Sequence, residues 1–268
     1  MLNFCGVIVK FTPCPFTKRL TLQATIATES DTQKEVTLAV PEQINAQLVV
    51  PEHDSATPVK PNEAAFIYNF LKEKGLKKTV EIGFAYGRSA SHIVAATASK
   101  HIIIDPFQEN YGSLGLENME RLGMSQFVDF RPDFSHAVLP ELHKEGKEFE
   151  FIFIDGDHKF DGIFVDFYYA DLILEDKGYA LFHDTWMRST QLVMSFIEHN
   201  RKDYKRVDTP LRNIALYQKV GDDARNGMHF KGFYTFKSLI VHHAIIWMSE
   251  GEMTPLKKLL LKIKDFVK

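Results

Sequence analysis

The sequence predicts an α/β fold in which a doubly wound, mostly parallel sheet of seven strands carries helices on both faces. From Thr79 onward, short apolar segments alternate with segments of helical periodicity, an order typical of parallel sheets with crossover helices. The strand segments are nearly continuous apolar runs, as expected for strands buried on both faces. Acidic residues, histidines and glycines follow those runs, and such sheets bind ligands at the carboxyl ends of their strands.

The alternation places each element. Strands are expected at 79–83, 101–105, 127–131, 151–155, 178–183 and 213–219. Helices are expected at 88–98, near 115–122, and at 135–144, 160–175 and 189–200. Before them, Asn62 is a candidate N-cap of a helix that Gly75 ends.

Two flanking segments differ from this pattern and predict the domain organisation. Residues 1–60 are expected to form a small β-rich extension, with strand-like pieces followed by a proline-punctuated loop from residue 41 to 61. Residues 61–220 form the main domain. Residues 221–268 hold an aromatic segment, expected in the core, over an acceptor pocket or in a homo-oligomer interface, and then a basic amphipathic helical tail. That helix is expected to dock on protein or to contact an anionic membrane surface.

Composition limits the function classes. The chain has 268 residues, 45% of them hydrophobic, which is enough for one full core with appendages. A net charge of −3 gives no basic field, so no nucleic-acid partner is expected. Cys5 and Cys14 are interpreted as free thiols. Without a basic N-terminal region or an apolar run of roughly 18 residues, the protein is expected to be cytoplasmic.

The stretch TVEIGFAYGRSA, residues 79–90, has the pattern of a strand, a glycine turn and a helix start. A dinucleotide fingerprint beginning at Gly83 would need glycines where the chain has Ala85 and Arg88. A P-loop would need Gly-Lys-Ser/Thr, and Gly87-Arg88-Ser89 follows Gly83 too closely. A loop for another ligand and a tight turn without a ligand both remain open.

The pattern Glu-x-Gly-x-x-x-Gly resembles the first motif of class I S-adenosylmethionine-dependent methyltransferases, which have a Rossmann-like fold. In that family the loop backbone lies against the methionine part of the cofactor. The resemblance implies S-adenosylmethionine as a cofactor, bound here by Glu81, Gly83, Phe84, Ala85, Tyr86, Gly87 and Ser89.

Two further segments complete the predicted cofactor site. Asp105 ends the run HIIID about 20 residues beyond the glycine turn, where a carboxylate accepts the hydroxyls of a cofactor ribose. The alternative is a helix N-cap, but the glycine turn favours the ribose. The stretch after residue 134 is similar to the adenine-contacting segment of catechol-type O-methyltransferases, although Ser135 is equally interpreted as an N-cap. The residues added by these segments are Pro106, Phe107, Phe134, Ser135 and His136.

Ionisable side chains end two strands that should be neighbours. Asp155 and His158 follow the run FIFI, and His183 and Asp184 follow ALF. Adjacent strands lie about 4.8 Å apart, so Asp155 and Asp184 can share one ion. A base and a divalent cation at a strand end are the parts of a site that deprotonates a hydroxyl.

The series VEIG, IDPFQ, FIDGDH and FHD, within roughly residues 62–218, is similar to the methyltransferase branch that contains sugar and antibiotic O-methyltransferases. The resemblance implies a divalent metal, with magnesium the first choice, bound by Asp155, His183 and Asp184. It also implies His158 as the general base, with Asp155 and Asp184 catalytic and Asp155 also near the cofactor. His183 stands where those enzymes have an acid, which favours a softer ion or an imidazole that only hydrogen-bonds the sheet end.

The implied activity is methyl transfer to a hydroxyl of a sugar, a glycan or a glycosylated small molecule. Two alternatives remain open: a non-catalytic adenosyl-binding module, and a methyltransferase with a nitrogen or phenolic acceptor. A non-catalytic module would keep the glycine loop but would not need the ionisable cluster.

Overall fold

The computed structural model describes residues 38–234, together with Pro255 and Leu259. In residues 38–234, seven strands form one sheet and seven helices surround it. The strands are β1 (Thr79–Ile82), β2 (His101–Ile104), β3 (Val128–Arg131), β4 (Phe149–Ile154), β5 (Leu174–Phe182), β6 (Tyr204–Val207) and β7 (Ala215–Lys219). The helices are α1 (Pro41–Gln47), α2 (Pro61–Lys74), α3 (Arg88–Thr97), α4 (Leu114–Arg121), α5 (Ser135–Lys144), α6 (Phe160–Ile173) and α7 (Arg188–Asn200).

The sheet has the order β3-β2-β1-β4-β5-β7-β6, in which β1 to β5 pair in parallel and β7 runs antiparallel to β5 and β6. The strand order reverses between β1 and β4, so a ligand is expected beyond the carboxyl ends of these two strands. The predicted α/β class and mostly parallel seven-stranded sheet are confirmed.

Alternate residues of each central strand face opposite layers of the core. Ile152 and Ile154 of β4 face the layer that contains residues of α5, α6 and α7. Phe151 and Phe153 of the same strand face residues of α2 and α3 on the other side. Since both faces are covered, the central strands are apolar on both sides, as their sequence predicts.

The prediction of a loop from residue 41 to 61 is wrong at α1. Pro41 occupies the first helical turn, where its missing N–H costs nothing. Ile44 is fully buried with Tyr68 in the core cluster that includes α3. Residues 38–60 therefore belong to the same compact unit as the sheet, whereas the sequence assigned them to the N-terminal extension.

Other boundaries differ by a few residues. Helix α2 begins at Pro61, with Lys60 rather than Asn62 as its N-cap, and ends at Gly75 in the left-handed conformation. Strand β5 begins at Leu174, before the predicted residue 178, because it continues directly from α6. Strand β6 is the one strand of the seven whose position the sequence did not indicate, since its four residues carry an exposed Lys205 and Arg206 and no apolar run.

The predicted β-rich extension before residue 38 and the C-terminal helix lie outside the described residues, apart from Pro255 and Leu259. Homo-oligomerisation and a cytoplasmic location likewise stay predictions. Among the described residues, no helix is both long and apolar enough to cross a membrane.

Candidate active site

A cleft of about 930 Å³ opens at the carboxyl ends of β1, β2, β4 and β5. Most of the predicted site residues line it: Gly83, Phe84, Ala85, Ser89, Asp105, Pro106, Phe107, Phe134, Ser135, His136, Asp155, His158 and Asp184. Four predicted residues are not part of this lining: Glu81, Tyr86, Gly87 and His183. A second depression of about 850 Å³ at the opposite edge of the sheet contains none of the predicted residues.

The glycine loop forms the floor of the cleft. Gly83 has a φ of +92°, and a Cβ atom there would lie 2.7 Å from the Asp155 carbonyl carbon and closer still to its oxygen. Gly87 has a φ of +77° and is the residue before the first turn of α3. The loop therefore needs glycine at Gly83 both for its backbone conformation and for its close approach to the end of β4.

Glu81 and Tyr86 support the loop from inside the protein. Glu81 is completely buried with its carboxylate 3.5 Å from His101, and burial raises its pKa. The Tyr86 hydroxyl donates to Asp54 at 2.5 Å, and its ring packs edge-on against Tyr111. Neither side chain lines the cleft, so any contribution to ligand binding acts through the loop.

Asp105 fastens the loop to the end of β2. Its carboxylate accepts the backbone N–H groups of Phe84 at 2.9 Å, Ala85 at 3.1 Å and Phe107 at 2.6 Å. A carboxylate has about four acceptor positions, which leaves room for one further donor. Ribose binding by Asp105 stays a prediction, and the structure adds a role in holding the loop.

Exposed aromatic rings border the end of the cleft near α5. Phe107 and Phe134 are 50% and 46% exposed and pack edge to face with ring centroids 5.6 Å apart. Phe134 also stacks on His136 at 5.3 Å. Phe134, not Ser135, occupies the N-cap position of α5, so the interpretation of Ser135 as an N-cap is wrong. Its hydroxyl is left for other partners.

Asp155, His158 and Asp184 bring their ligand atoms within 4.8 Å of one another. His158 Nε2 lies 3.1 Å from Asp184 Oδ2 and 3.8 Å from Asp155 Oδ1. Hydrogen bonds to these two carboxylates raise the pKa of His158 to about 9, and the same contact holds the pKa of Asp184 well below its usual range. Asp184 has a φ of +50°, an uncommon conformation for a residue with a side chain.

His183 is placed differently from its prediction as a metal ligand. Its Nε2 lies 3.1 Å from Glu63 Oε2 and its Nδ1 3.0 Å from Asp155 Oδ1. Burial alone would lower the pKa of His183, but the hydrogen bonds to Asp155 and Glu63 raise it to about 10. Because both ring nitrogens face carboxylates, the described residues group His158, not His183, with the two aspartates as candidate ligands.

Comparison with known proteins shows which kind of domain forms this cleft. Residues 80–185 match a family model described as a methyltransferase domain. The chain is 34% identical over 100 residues to caffeoyl-CoA O-methyltransferase 1 from Eucalyptus globulus, which covers 36% of this chain and 40% of the relative. The chain contains a class I S-adenosylmethionine-dependent methyltransferase domain. It spans about 40% of the length of the first curated relatives it matches.

A further curated relative and two solved structures, both O-methyltransferases by name, are also similar to this chain. Tricin synthase 2 from Oryza sativa subsp. japonica is 28% identical over 174 residues, covering 62% of this chain and 56% of the relative. The fold matches an O-methyltransferase from Bacillus cereus with a TM-score of 0.55 at 17% identity, covering 68% of this chain and 89% of that one. It also matches TomG from Streptomyces achromogenes with a TM-score of 0.58 at 14% identity, covering 69% and 93%. These solved structures are evidence for the fold alone.

Four residues of the site were missed from sequence. Glu63 lies in the first turn of α2 and accepts the Lys60 N–H at 2.9 Å. A glutamate at that position is explained by helix capping alone, so the sequence carries no sign of a second role. Asn213, just before β7, donates to Asp184 at 3.2 Å. Arg88 and Asp166 line the cleft. In the sequence, Arg88 is only the first residue of a predicted helix, and Asp166 is only a polar residue within an apolar one. The four residues belong to elements that are far apart in the sequence, so only the folded structure shows that they lie near one another.

Arg88 is a cation without an acidic partner among the described residues. Its Nη1 donates to the Val59 carbonyl at 2.8 Å, while its buried Nε has no acceptor. It lies in the first turn of α3, whose N-terminal backbone N–H groups also favour negative charge. This part of the cleft is therefore suited to an anionic group of a ligand.

Proposed function

We propose that the methyltransferase domain transfers the methyl group of S-adenosylmethionine to a hydroxyl of a sugar or a glycosylated small molecule. The observation that carries the proposal is that Asp155, His158 and Asp184 meet in the cleft whose floor is the glycine loop. Core packing does not ask for ionisable side chains at the ends of buried strands. A cofactor with an activated methyl needs an aligned nucleophile and a group that takes the nucleophile's proton.

The proposed cofactor residues follow the cleft from one end to the other. The loop backbone at Gly83 faces the methionine part, and Arg88 pairs with its carboxylate. Asp105 accepts a ribose hydroxyl with its remaining acceptor position. Phe107 and Phe134 offer aromatic surfaces to the adenine ring.

The residues present fit a divalent cation. Asp155 and Asp184 supply carboxylate oxygens, the ligands that magnesium and manganese prefer, and an imidazole beside them also suits softer ions. We assign the ion to the two aspartates and proton transfer to His158. A bound divalent cation lowers the pKa of a hydroxyl that coordinates it.

With a cation held by the two aspartates, their carboxylates no longer hold a proton on His158, and in this assignment its Nε2 takes the acceptor's proton. The ring nitrogen lies beside both carboxylates, so a hydroxyl held at the aspartates is within reach of it. A positioned base of this kind contributes typically about 10² to 10⁴ in rate. Asp184 is itself oriented by the Trp186 indole N–H at 3.0 Å and by Asn213.

The acceptor class is proposed from likeness. The sugar follows from the resemblance of the motif series, while the relatives named caffeoyl-CoA O-methyltransferase favour a phenolic hydroxyl as the second candidate. Trp186, 67% exposed beside Asp184, offers a flat surface for either kind of ring. Both candidates can present two neighbouring hydroxyls to the aspartate pair.

Binding and turnover test the proposal separately. Calorimetry should detect S-adenosylmethionine but not NAD, and binding of NAD alone would contradict the cofactor assignment. Methyl transfer is then followed by mass spectrometry with a panel of glycosides and catechols, which decides between the two acceptor classes. Transfer only to amines would overturn O-methylation, and cofactor binding without transfer to any acceptor favours the non-catalytic module.

The metal assignment is tested by Asp184→Ala and by exhaustive chelation. Both should leave S-adenosylmethionine binding nearly intact and lower turnover by about 10² or more, because the hydroxyl loses its anchor. Asp176→Ala is the matched control, since Asp176 is exposed on β5 outside the cleft. Turnover that survives both treatments would contradict the metal role and leave His158 as a metal-free base.

A further inference from the structure

Asp166 is a buried carboxyl group that the proposed chemistry does not use. It lies on α6 with 1% of its surface exposed, in the layer between α6 and the sheet edge. Neither of its two oxygens has a hydrogen bond of good geometry among the described residues, although the Ser135 hydroxyl lies near enough to lower its pKa. Burying a carboxyl that lacks most of its donors costs several kcal/mol. An apolar residue would serve the fold better, unless a ligand supplies the donor.

The surroundings of Asp166 point to one end of the cleft. The side chain lines the cleft together with Gly156, Ser135 and His136. A Cβ atom placed on Gly156 would lie 3.7 Å from Asp166 Oδ2, so the carboxyl sits against the end of β4. Burial raises the pKa of Asp166 to about 6, and the Ser135 hydroxyl beside it opposes part of that rise. Phe134 and Ser135 follow β3 whereas Arg88 follows β1, two strands away in the sheet, so Phe107 and Phe134 border this end of the cleft.

The two ends of the cleft thus differ in chemistry. The end at Arg88 has an unpaired cation and suits a carboxylate. The end at Asp166 has an unpaired acceptor beside exposed aromatic rings, and suits a flat ring that carries an N–H₂ donor. S-adenosylmethionine has a carboxylate at one end and the exocyclic amine of adenine at the other.

We propose that Asp166 accepts a hydrogen bond from the exocyclic amine of the cofactor's adenine and thereby selects adenine over 6-oxo purines. The proposal rests on the proposed function, since it assumes that S-adenosylmethionine binds in this cleft. A 6-oxo purine presents an acceptor at the same place, and two acceptors facing each other in a buried site leave both unpaired. Asp166 is in this view a specificity residue for the cofactor.

The test compares two cofactor products that differ at this one position, S-adenosylhomocysteine and S-inosylhomocysteine, by calorimetry. The parent protein should bind the adenosyl compound about 10- to 100-fold more tightly, the range expected for a hydrogen bond to a carboxylate. Asp166→Asn should reduce this ratio to within about 3-fold, because an amide can turn either its oxygen or its N–H₂ to the ring. Asp176→Asn, the exposed control on β5, should keep the parent ratio.

Asp166→Leu separates ligand recognition from structure. If the carboxyl has no donor within the protein, the leucine variant should unfold at the same urea concentration as the parent or a higher one, measured without ligand. It should also lose the preference for the adenosyl compound. A leucine variant that fails to fold would reveal a structural partner and overturn the inference.

The failures of the two proposals are distinguishable. A parent protein that binds neither compound contradicts the proposed function, and the inference falls with it. A parent that binds S-adenosylhomocysteine, together with an Asp166→Asn variant that keeps the parent's ratio, overturns the inference alone.

Discussion

Replacing Gly83 by alanine tests how the cofactor loop is built. Gly83 has a φ of +92°, and a Cβ atom there would collide with the backbone carbonyl of Asp155. A left-handed conformation costs an L-residue roughly 1–2 kcal/mol. The collision involves backbone on both sides, so the ends of β1 and β4 must separate, and overpacking of this kind costs typically about 1–3 kcal/mol. Gly83→Ala should therefore lower the free energy of unfolding by about 2–5 kcal/mol.

Gly75→Ala is the matched control. Gly75 also has a positive φ, +68°, but a Cβ atom there would meet no other atom within 4 Å. This variant carries the conformational cost alone. The difference between the two variants isolates the close approach to β4, and we expect it to be about 1–3 kcal/mol in urea denaturation followed by circular dichroism. If Gly83→Ala is no less stable than Gly75→Ala, the loop is not packed against β4 as described.

Three further variants probe other contacts. Glu63→Ala should lower the free energy of unfolding, measured in urea, by about 1–3 kcal/mol because His183 loses a buried acceptor. Glu63→Gln should recover most of that stability, and equal losses in both variants would contradict the hydrogen bond. Arg88→Leu should weaken S-adenosylmethionine binding in calorimetry about 10- to 100-fold and leave adenosine binding unchanged, since adenosine has no carboxylate; equal weakening of both would refute the pairing. Arg201→Met should lower the free energy of unfolding by about 3–5 kcal/mol because it leaves the buried Asp203 without its cation and Asp171 with Lys219 alone, and a loss below 1 kcal/mol would refute this.

The sequence predicts the aspartates of the site because their position follows from strand order. Asp155 and Asp184 end consecutive buried strands, and β4 pairs with β5 in parallel, so the two side chains meet at one edge. The same reasoning predicts the glycine loop and Asp105, which end β1 and β2. For these residues the local sequence is sufficient to predict the position in the site, since each one directly follows its own strand.

The partners that come from helices could not be predicted in this way. Glu63 is 120 positions from His183 in the sequence, and its local role as a helix cap already accounts for a glutamate at that position. Asp166 belongs to a helix that is apolar almost all round, so no periodicity marks the side that faces the cleft. Helix α1 was missed because the prolines between residues 41 and 61 are typical of a loop, although a proline in the first turn is compatible with a helix.

The contacts of His183 explain how the strand end accommodates an imidazole where the motif resemblance implies an acid. Carboxylates and imidazoles alternate through the site, from Glu63 to His183, Asp155, His158 and Asp184. Glu63, on α2, thus supplies a negative charge beside the strand end, where His183 stands in place of an acid. His158 contacts two carboxylates and His183 contacts three, so a substitution at any one member changes the partners of its neighbours. Effects on turnover at Glu63 and Asp184 should for this reason not add, which a double-mutant cycle on the two residues measures directly.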